Sequence, residues 1–160
     1  MAESYPRLQK RGKKKPKKNN NSDSNIAGII VADVTDAVNN VVSGFFDGWA
    51  TFFHPATEGG KYGACYGYEE SDHSNIVALS SDLYGDTSKN SRWCGRTVYI
   101  ETEDGRSTTA NITDACPTCK GRSLDLTPAV FNRIANPKDG IVRIRWCTCG
   151  TKGCDADACK

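Results

Sequence analysis

The sequence predicts a mainly β domain held together by disulfide bonds, and three observations support this fold class. Apolar and polar residues alternate in several short runs, which is the two-residue period of a half-buried strand. Asp104-Gly105 separates two such runs and is a strong signal for a two-residue hairpin turn. Eight cysteines among 160 residues are unusual for a cytosolic protein, and their even number allows four disulfides in an oxidising compartment.

Residues 1–47 precede the β pattern and contain two different segments. Residues 1–25 are rich in Lys and Asn and lack apolar periodicity, which predicts a disordered basic tail. Lys10-Arg11 would suit a dibasic processing protease, so the start of this tail is interpreted as a propeptide remnant. In residues 26–46 valines recur on one helical face, and we expect an amphipathic helix that packs on the following domain or mediates association.

Composition argues against two classes of partner. The basic run 13–18 is the one candidate for a nucleic-acid-binding arm, but so short a run is usually solvated, and the cysteine-rich body argues against a nuclear protein. The apolar stretch 26–46 is too short and too polar to span a membrane. We therefore expect a monomer with neither a nucleic acid nor a membrane as its partner.

Beyond Gly48 the predicted strands follow one another through short loops. In the first of them, alternation places Trp49, Thr51 and Phe53 on one face. The last strand alternates apolar residues with Arg143 and Arg145, so that one face points into the core. The predicted strands are 49–53, 76–79, 97–103, 106–113 and 142–146.

Residues 111–135 combine a strand end, a two-cysteine loop, two aspartates and a helix start. Asp114 stands where the strand is expected to stop, and Asp125 lies after the loop among apolar neighbours. Thr127-Pro128 resembles an N-cap followed by a proline at the first helical position. The helix that follows should present one apolar face made of Val130, Phe131, Ile134 and Ala135.

The run TDACPTC…LDLTPAVFNRIA resembles the double-psi β-barrel of expansins, of the single-domain loosenins, and of the wider rare-lipoprotein-A-like and barwin-like group. Further matches in the same order and spacing lie at 48–53, 63–65, 77–79, 94–95 and 140–146. The resemblance covers residues 48–147 and implies a six-stranded double-psi β-barrel with one or two short helices. Residues 148–160 are then a cysteine-rich tail that disulfides should fasten to the barrel.

The cysteines are expected to pair fully, although the sequence leaves their connectivity open. Zinc is the alternative, because Cys116-x2-Cys119 has the spacing of a zinc half-site. Resemblance to a secreted family outweighs that alternative, so we expect neither a metal nor another cofactor. The predicted disulfide cysteines are Cys65, Cys94, Cys116, Cys119, Cys147, Cys149, Cys154 and Cys159.

Family 45 glycoside hydrolases share this barrel, and their inverting mechanism needs an acid and a base. The resemblance assigns the acid position to Asp125, and flanking Leu124 and Leu126 would raise its pKa by desolvation. At the place of the base, residues 49–52 contain no carboxylate. Expansins and loosenins likewise resemble hydrolases that keep the acid and the groove but lack the base, and they loosen polysaccharide networks without measurable cleavage.

The resemblance to bacterial expansins maps their groove onto three positions, Thr51, Asp114 and Asp125, of which the two aspartates are the candidate catalytic residues. A groove tyrosine of that family is replaced here by Cys116, as in loosenin-like sequences. Thr51 and several aromatic residues are candidates for sugar binding, although each aromatic ring could belong to the core instead. These rings are Trp49, Tyr66, Tyr68, Tyr84 and Trp93.

The function implied is that of a secreted, extracellular or wall-bound protein that loosens a cell-wall polysaccharide without hydrolysis, with cellulose, chitin or peptidoglycan as partner. One alternative is an inhibitor of papain-type cysteine proteases, or a host-interaction protein, built on the same barrel. Another is a lytic transglycosylase or endoglucanase in which one acid suffices or Asp47 reaches the groove. Asp125→Asn should abolish activity in the loosening and enzymatic readings and leave inhibition untouched.

Overall fold

Six strands, most of which bury one apolar face, close into a barrel in a computed structural model that describes residues 44–160. Around the barrel the order is β1-β5-β2-β4-β3-β6. The strands are β1 Phe46–Phe52, β2 Ile76–Ser80, β3 Thr97–Thr102, β4 Ser107–Cys116, β5 Leu124–Leu126 and β6 Val142–Thr148. Two short α-helices, α1 Ser81–Tyr84 and α2 Pro128–Ile134, and two 3-10 helices, Pro137–Asp139 and Asp157–Cys159, complete the described part. The predicted fold class is confirmed.

Strand register places four residues from four strands in one row across the barrel wall. Strand β1 pairs in parallel with β5, which sets Thr51 beside Asp125. On the other side of β5, antiparallel strand β2 sets Ala78 beside Asp125. Ala78 also pairs with Asp114 of β4. The row Thr51–Asp125–Ala78–Asp114 therefore brings together residues that are far apart in the sequence.

The interior of the barrel is filled by the apolar face of each strand and by α2. Leu124 and Leu126 are fully buried, and Ile144 and Trp146 of β6 are buried while the alternating Arg143 and Arg145 face outward. Helix α2 buries the predicted face of Val130, Phe131, Ile134 and Ala135. No helix in residues 44–160 is long and apolar enough to cross a membrane.

Several predicted boundaries need correction. Most of the expected amphipathic helix 26–46 lies outside the described residues, as does the basic tail, but its last residue, Phe46, begins β1 because it pairs with Trp146 of β6. Asp114 lies inside β4 rather than at its end, since β4 keeps pairing with β2 as far as Cys116. Thr127 does precede α2, but its hydroxyl donates to the carbonyl of Ser74 (2.6 Å) instead of capping the helix.

All eight cysteines are joined in disulfides, which confirms the predicted full pairing. The bonds are Cys65–Cys94, Cys116–Cys119, Cys147–Cys154 and Cys149–Cys159. The last two tie the C-terminal tail to the end of β6 and to the residue that follows it, as expected for a segment with little apolar surface of its own. The zinc alternative is thereby overturned for these cysteines, because a disulfide sulfur is not the thiolate that zinc requires.

The close approach of β1 to the loop before β5 predicts a steric effect at Gly48. A Cβ added there would overlap the carbonyl oxygen of Arg122 and lie 2.8 Å from its carbonyl carbon. That carbonyl also accepts the indole N–H of Trp146 (2.8 Å), so it cannot move without breaking a buried contact. Gly48→Ala should lower the free energy of unfolding by about 1–3 kcal/mol in denaturant titrations. Asp47→Ala, at an exposed neighbouring position, should change it by less than about 0.5 kcal/mol.

Candidate functional site

Asp114 and Asp125 both line a groove on the outside of the barrel wall. Two strand spacings of about 4.8 Å each place their Cα atoms roughly 10 Å apart, with Ala78 between them. Both line a cavity of about 640 Å³, here called the acidic hollow, together with Glu58, Tyr62 and residues 115–118 at the end of β4 and just beyond it. A second cavity of about 530 Å³, here called the Trp49 hollow, is lined by Trp49, Thr51, Lys120, Ser123, Ile141 and again Asp125. Asp125 lines both hollows, so the two adjoin at this residue, and together they are called the groove.

Asp125 is held and desolvated by the groove wall. The hydroxyl of Thr51 donates to its Oδ1 (2.8 Å), and the Cys116 sulfur of the neighbouring disulfide lies 3.8 Å from Oδ2. The pKa of Asp125 is raised from 3.8 to about 6, chiefly by burial and in addition by the negative charges of Glu58 and Asp114, while the hydrogen bond from Thr51 opposes the shift. A carboxyl with this pKa can hold and release a proton under mildly acidic conditions.

The sequence analysis predicted that the side chains of Leu124 and Leu126 desolvate Asp125, but these side chains point away from its carboxyl. Leu124 and Leu126 are fully buried, whereas Asp125 is half-buried between them, because neighbouring strand residues point to opposite faces. The groups that remove water from the carboxyl are therefore those on the groove side, including Thr51 and the Cys116–Cys119 disulfide. The predicted direction of the pKa shift agrees with the structure, but the predicted source does not.

Asp114 is fixed by the loop that follows β1. The backbone N–H of Ala64 donates to its Oδ1 (2.8 Å), while burial raises the pKa of Asp114 above its ordinary value. Cys65 reinforces the same contact, because its N–H donates to the carbonyl of Thr113 (2.9 Å). The loop and β4 thus hold the carboxyl at the wall of the acidic hollow.

Two acidic residues of this region were missed by the sequence analysis. Glu58, in the loop after β1, lines the acidic hollow and accepts the N–H of His54 (2.7 Å). Glu70 is only 3% exposed and accepts the hydroxyl of Thr113 (2.6 Å), and its other carboxyl oxygen has no hydrogen-bond partner among residues 44–160. Burial and the charge of Asp114 raise the pKa of Glu70 to about 7. Neither Glu58 nor Glu70 lies in an apolar or cysteine motif that would have identified it as a candidate site residue.

The predicted aromatic platforms separate into surface and core. Trp49, Tyr66 and Tyr68 are exposed, and Trp49 lines its hollow. Trp93 must be corrected, because it is 9% exposed and packs edge-on against Trp146 with ring centroids 6.2 Å apart. Tyr84 is likewise a core residue, at 4% exposure. An aromatic residue that was not predicted, Tyr62, is exposed and lines the acidic hollow.

Asp47, which would have completed a hydrolytic pair, does not line either hollow of the groove. It borders the adjoining surface with Arg122 and Arg143. Within residues 44–160, two groups of potential metal ligands occur, Cys149-Cys154-Cys159 and Cys116-Cys119-Asp125. All their cysteines are in disulfides, so neither group offers thiolates for a metal.

Comparison with known proteins agrees with this geometry. Residues 46–146 match the double-psi β-barrel family described as lytic transglycolase. Kiwellin of Actinidia chinensis var. chinensis is 32% identical over 56% of this chain and 48% of its own length. Expansin-YoaJ of Bacillus subtilis is 41% identical over 30% of this chain and 21% of its own length. The chain therefore spans less than half the length of these two relatives.

A solved structure covers a similar range. The Streptomyces papain inhibitor superposes with a TM-score of 0.56 and 27% identity, over 65% of this chain and 93% of that one. The family match, the expansin and kiwellin relatives and the closed six-stranded barrel agree with one another. The chain belongs to the double-psi β-barrel family described as lytic transglycolase and is an expansin-like member of it.

Proposed function

We propose that the chain acts outside the cell, where its groove binds a cell-wall polysaccharide such as cellulose or chitin and loosens it without hydrolysis. The observation that carries this proposal is the Thr51–Asp125 hydrogen bond at the centre of a groove with an exposed aromatic ring in each hollow. Trp49 and Tyr62 can stack on sugar rings, while the carboxyls bind sugar hydroxyls. Four disulfides fit an oxidising compartment.

Loosening rather than cleavage is favoured by the positions of the carboxyls. In the β1–β5 pair, the residue directly beside Asp125 is Thr51, whose hydroxyl cannot activate water as a carboxylate would. Glu58 is the carboxylate that an enzymatic reading would need, but its Oε2 accepts a backbone N–H of its own loop. In our proposal Asp125 accepts hydrogen bonds from glycan hydroxyls that would otherwise bond to neighbouring glycan chains. Loss of those bonds between chains would let the polysaccharide network separate.

Inhibition of a cysteine protease is the second candidate. The specific observation that favours it is the superposition with the Streptomyces papain inhibitor, which accounts for nearly the whole of that protein. In this reading the exposed loop that carries Tyr62, Tyr66 and Tyr68 would contact the protease. Asp125 would then have no role in binding.

Pelleting of the oxidised protein with insoluble cellulose, chitin and peptidoglycan tests the proposal, with Asp125→Asn as the variant. The amide oxygen of asparagine can still accept the Thr51 hydroxyl, but it lacks the negative charge, and hydrogen bonds to charged groups contribute roughly 1.5–3 kcal/mol. We expect at least a tenfold loss of affinity and no loosening of paper or wall strips. Asp155→Asn, at an exposed position in the C-terminal tail, is the matched control and should behave as the unmodified protein.

Each remaining outcome decides between the readings. If Asp125→Asn loosens walls normally, the groove assignment is wrong. If no polymer is bound and papain is inhibited equally by both proteins, the inhibitor reading replaces ours. Release of reducing ends that requires both Asp125 and Glu58 would make the protein an enzyme instead.

A further inference from the structure

The groove differs in charge between its two ends. The acidic hollow contains Glu58, Asp114 and Asp125, and no Lys or Arg of residues 44–160 lines it. The Trp49 hollow contains Lys120, and the adjoining surface adds Arg122 and Arg143 around the same tryptophan. A glycan lying along the groove would therefore meet carboxyls at one end and cations at the other.

We call Trp49 with Lys120, Arg122 and Arg143 the basic rim. The guanidinium of Arg143 lies 5.7 Å from the centroid of the Trp49 ring, and that of Arg122 lies 4.9 Å from the centroid of Phe46. The contact with Trp49 restricts the guanidinium of Arg143 without neutralising its charge, whereas Arg122 keeps its guanidinium over Phe46 and lines the same surface. The backbone of Arg122 is also fixed, because its carbonyl accepts the indole N–H of Trp146 (2.8 Å).

Three carboxylates lie near the three cations of the basic rim, but among residues 44–160 only Arg143 forms an ion pair with one of them. Arg143 has an exposed partner in Glu103, with Nε and Oε1 3.4 Å apart. Asp47 lines the same surface, and Asp125 faces Lys120 across the Trp49 hollow. In residues 44–160 no carboxylate lies within 4.0 Å of the charged group of Lys120 or Arg122. Two cations beside an exposed indole are thus available to a ligand.

From this arrangement we propose that the basic rim binds a carboxylate-bearing sugar of the glycan, a uronic acid residue, while the acidic hollow binds uncharged sugars of the same chain. This inference rests on the proposed polysaccharide-binding groove and names its substrate class. The indole face of Trp49 stacks on the sugar ring, and the neighbouring ammonium and guanidinium groups reach the carboxylate at its edge.

The two ends together predict a preference that neither end predicts alone. A fully ionised polyuronate would place carboxylates over Glu58 and Asp114, where like charges repel. A fully esterified polymer would leave the basic rim without its anion. The preferred ligand is therefore a polyuronate in which ionised and esterified sugars are mixed.

Titration of the full oxidised chain with polygalacturonate at three degrees of methyl esterification (none, about half and complete) tests this preference, with a cello-oligosaccharide as the neutral reference. The half-esterified polymer should bind best, and its affinity should fall as salt is added. Lys120→Gln combined with Arg122→Gln should reduce that affinity about tenfold and should reduce the affinity for the cello-oligosaccharide, which has no carboxylate, by much less.

The basic residues near the N-terminus require a control of equal charge. Lys13→Gln combined with Lys14→Gln removes the same two charges far from the groove in sequence and should change the affinity for the half-esterified polymer less than twofold. An equal loss in both double variants would overturn the basic rim as the binding site, and so would affinity that does not depend on esterification. If the neutral oligosaccharide binds and the polyuronates bind no better, this inference fails while the proposed function stands. If none of these glycans binds, this inference fails, and the proposed function fails with it if cellulose, chitin and peptidoglycan also do not pellet the protein.

Discussion

The oxidised protein is expected to lose stability as the pH rises from 5 to 8, and Glu70 is expected to be the main cause. Its pKa is raised from 4.5 to about 7 in the folded protein by burial. Between these values the folded state keeps a proton that the unfolded state has released, so each rise in pH favours unfolding. The stabilisation is complete below pH 4.5 and is lost as the pH passes through 7. The loss amounts to roughly 3 kcal/mol at most.

Other groups either add to this trend or act at other pH values. Burial raises the pKa values of Asp114 and Asp125 in the same direction, so both contribute to the loss. The exposed pair of His54 and Asp72 also weakens as His54 loses its proton, but solvent reduces its contribution. The pKa of Asp104 is depressed by Arg106, and its stabilisation is therefore lost only at acidic pH.

Denaturant titrations at several pH values measure the effect, and Glu70→Gln isolates it. Glutamine keeps the shape and a hydrogen-bond acceptor for Thr113 but does not titrate. The variant should therefore show a much flatter dependence of the unfolding free energy on pH, whatever its stability at pH 5. Asp155→Asn should keep the full slope. Equal slopes in Glu70→Gln and the unmodified protein would show that Glu70 is not the titrating group.

Local patterns predicted the elements well where one chemical cause sets the structure. Apolar spacing at Val130, Phe131 and Ile134 predicted the buried face of α2, because a helix with so narrow an apolar face can be buried in only one orientation. Asp104-Gly105 predicted the β3–β4 hairpin, where Gly105 has φ +87°, although the connection spans residues 103–106 instead of the two residues expected. The boundary errors at Phe46 and Asp114 arose from strand pairing, which depends on distant residues such as Trp146.

The candidate site was only partly predictable for the same reason. The resemblance named Thr51, Asp114 and Asp125, and register brings them into one row. Glu70 could not be predicted, because its burial requires the loop at Gly63 to fold against β4. The orientation of Leu124 and Leu126, by contrast, was available from alternation alone, since both must point away from the face of Asp125.

Trp93 and Trp49 show how two tryptophans with the same apparent propensity acquire different roles. Trp93 lies in the barrel core beside Phe46 and Trp146, whereas Trp49 is 45% exposed at the groove. The parity of Trp49 in β1, where Ala50 points inward, determines its exposure, while Trp93 follows no strand pattern. The position of Trp93 is set by its loop, which the Cys65–Cys94 disulfide joins to the loop after β1.

Replacing each tryptophan by alanine should therefore separate stability from binding. Trp93→Ala should lower the free energy of unfolding by about 3–5 kcal/mol, because it leaves a large cavity in the core. Trp49→Ala should change it by less than about 0.5 kcal/mol, yet weaken glycan pelleting about tenfold through loss of a stacking contact worth about 1.5 kcal/mol.

Trp93→Phe gives the Trp93 assignment an independent test. The indole N–H of Trp93 is buried without a hydrogen-bond partner in residues 44–160, so phenylalanine keeps much of the ring packing and removes an unsatisfied donor. This variant should remain within about 1.5 kcal/mol of the unmodified protein and bind glycan normally. Thermal melts and pelleting assays on the three variants measure both quantities. If the Trp93→Phe protein folds fully but no longer binds glycan, the assignment of Trp93 to the core is wrong. Trp93 would then be a glycan-binding residue of the groove, because a direct contact with the glycan would explain the loss.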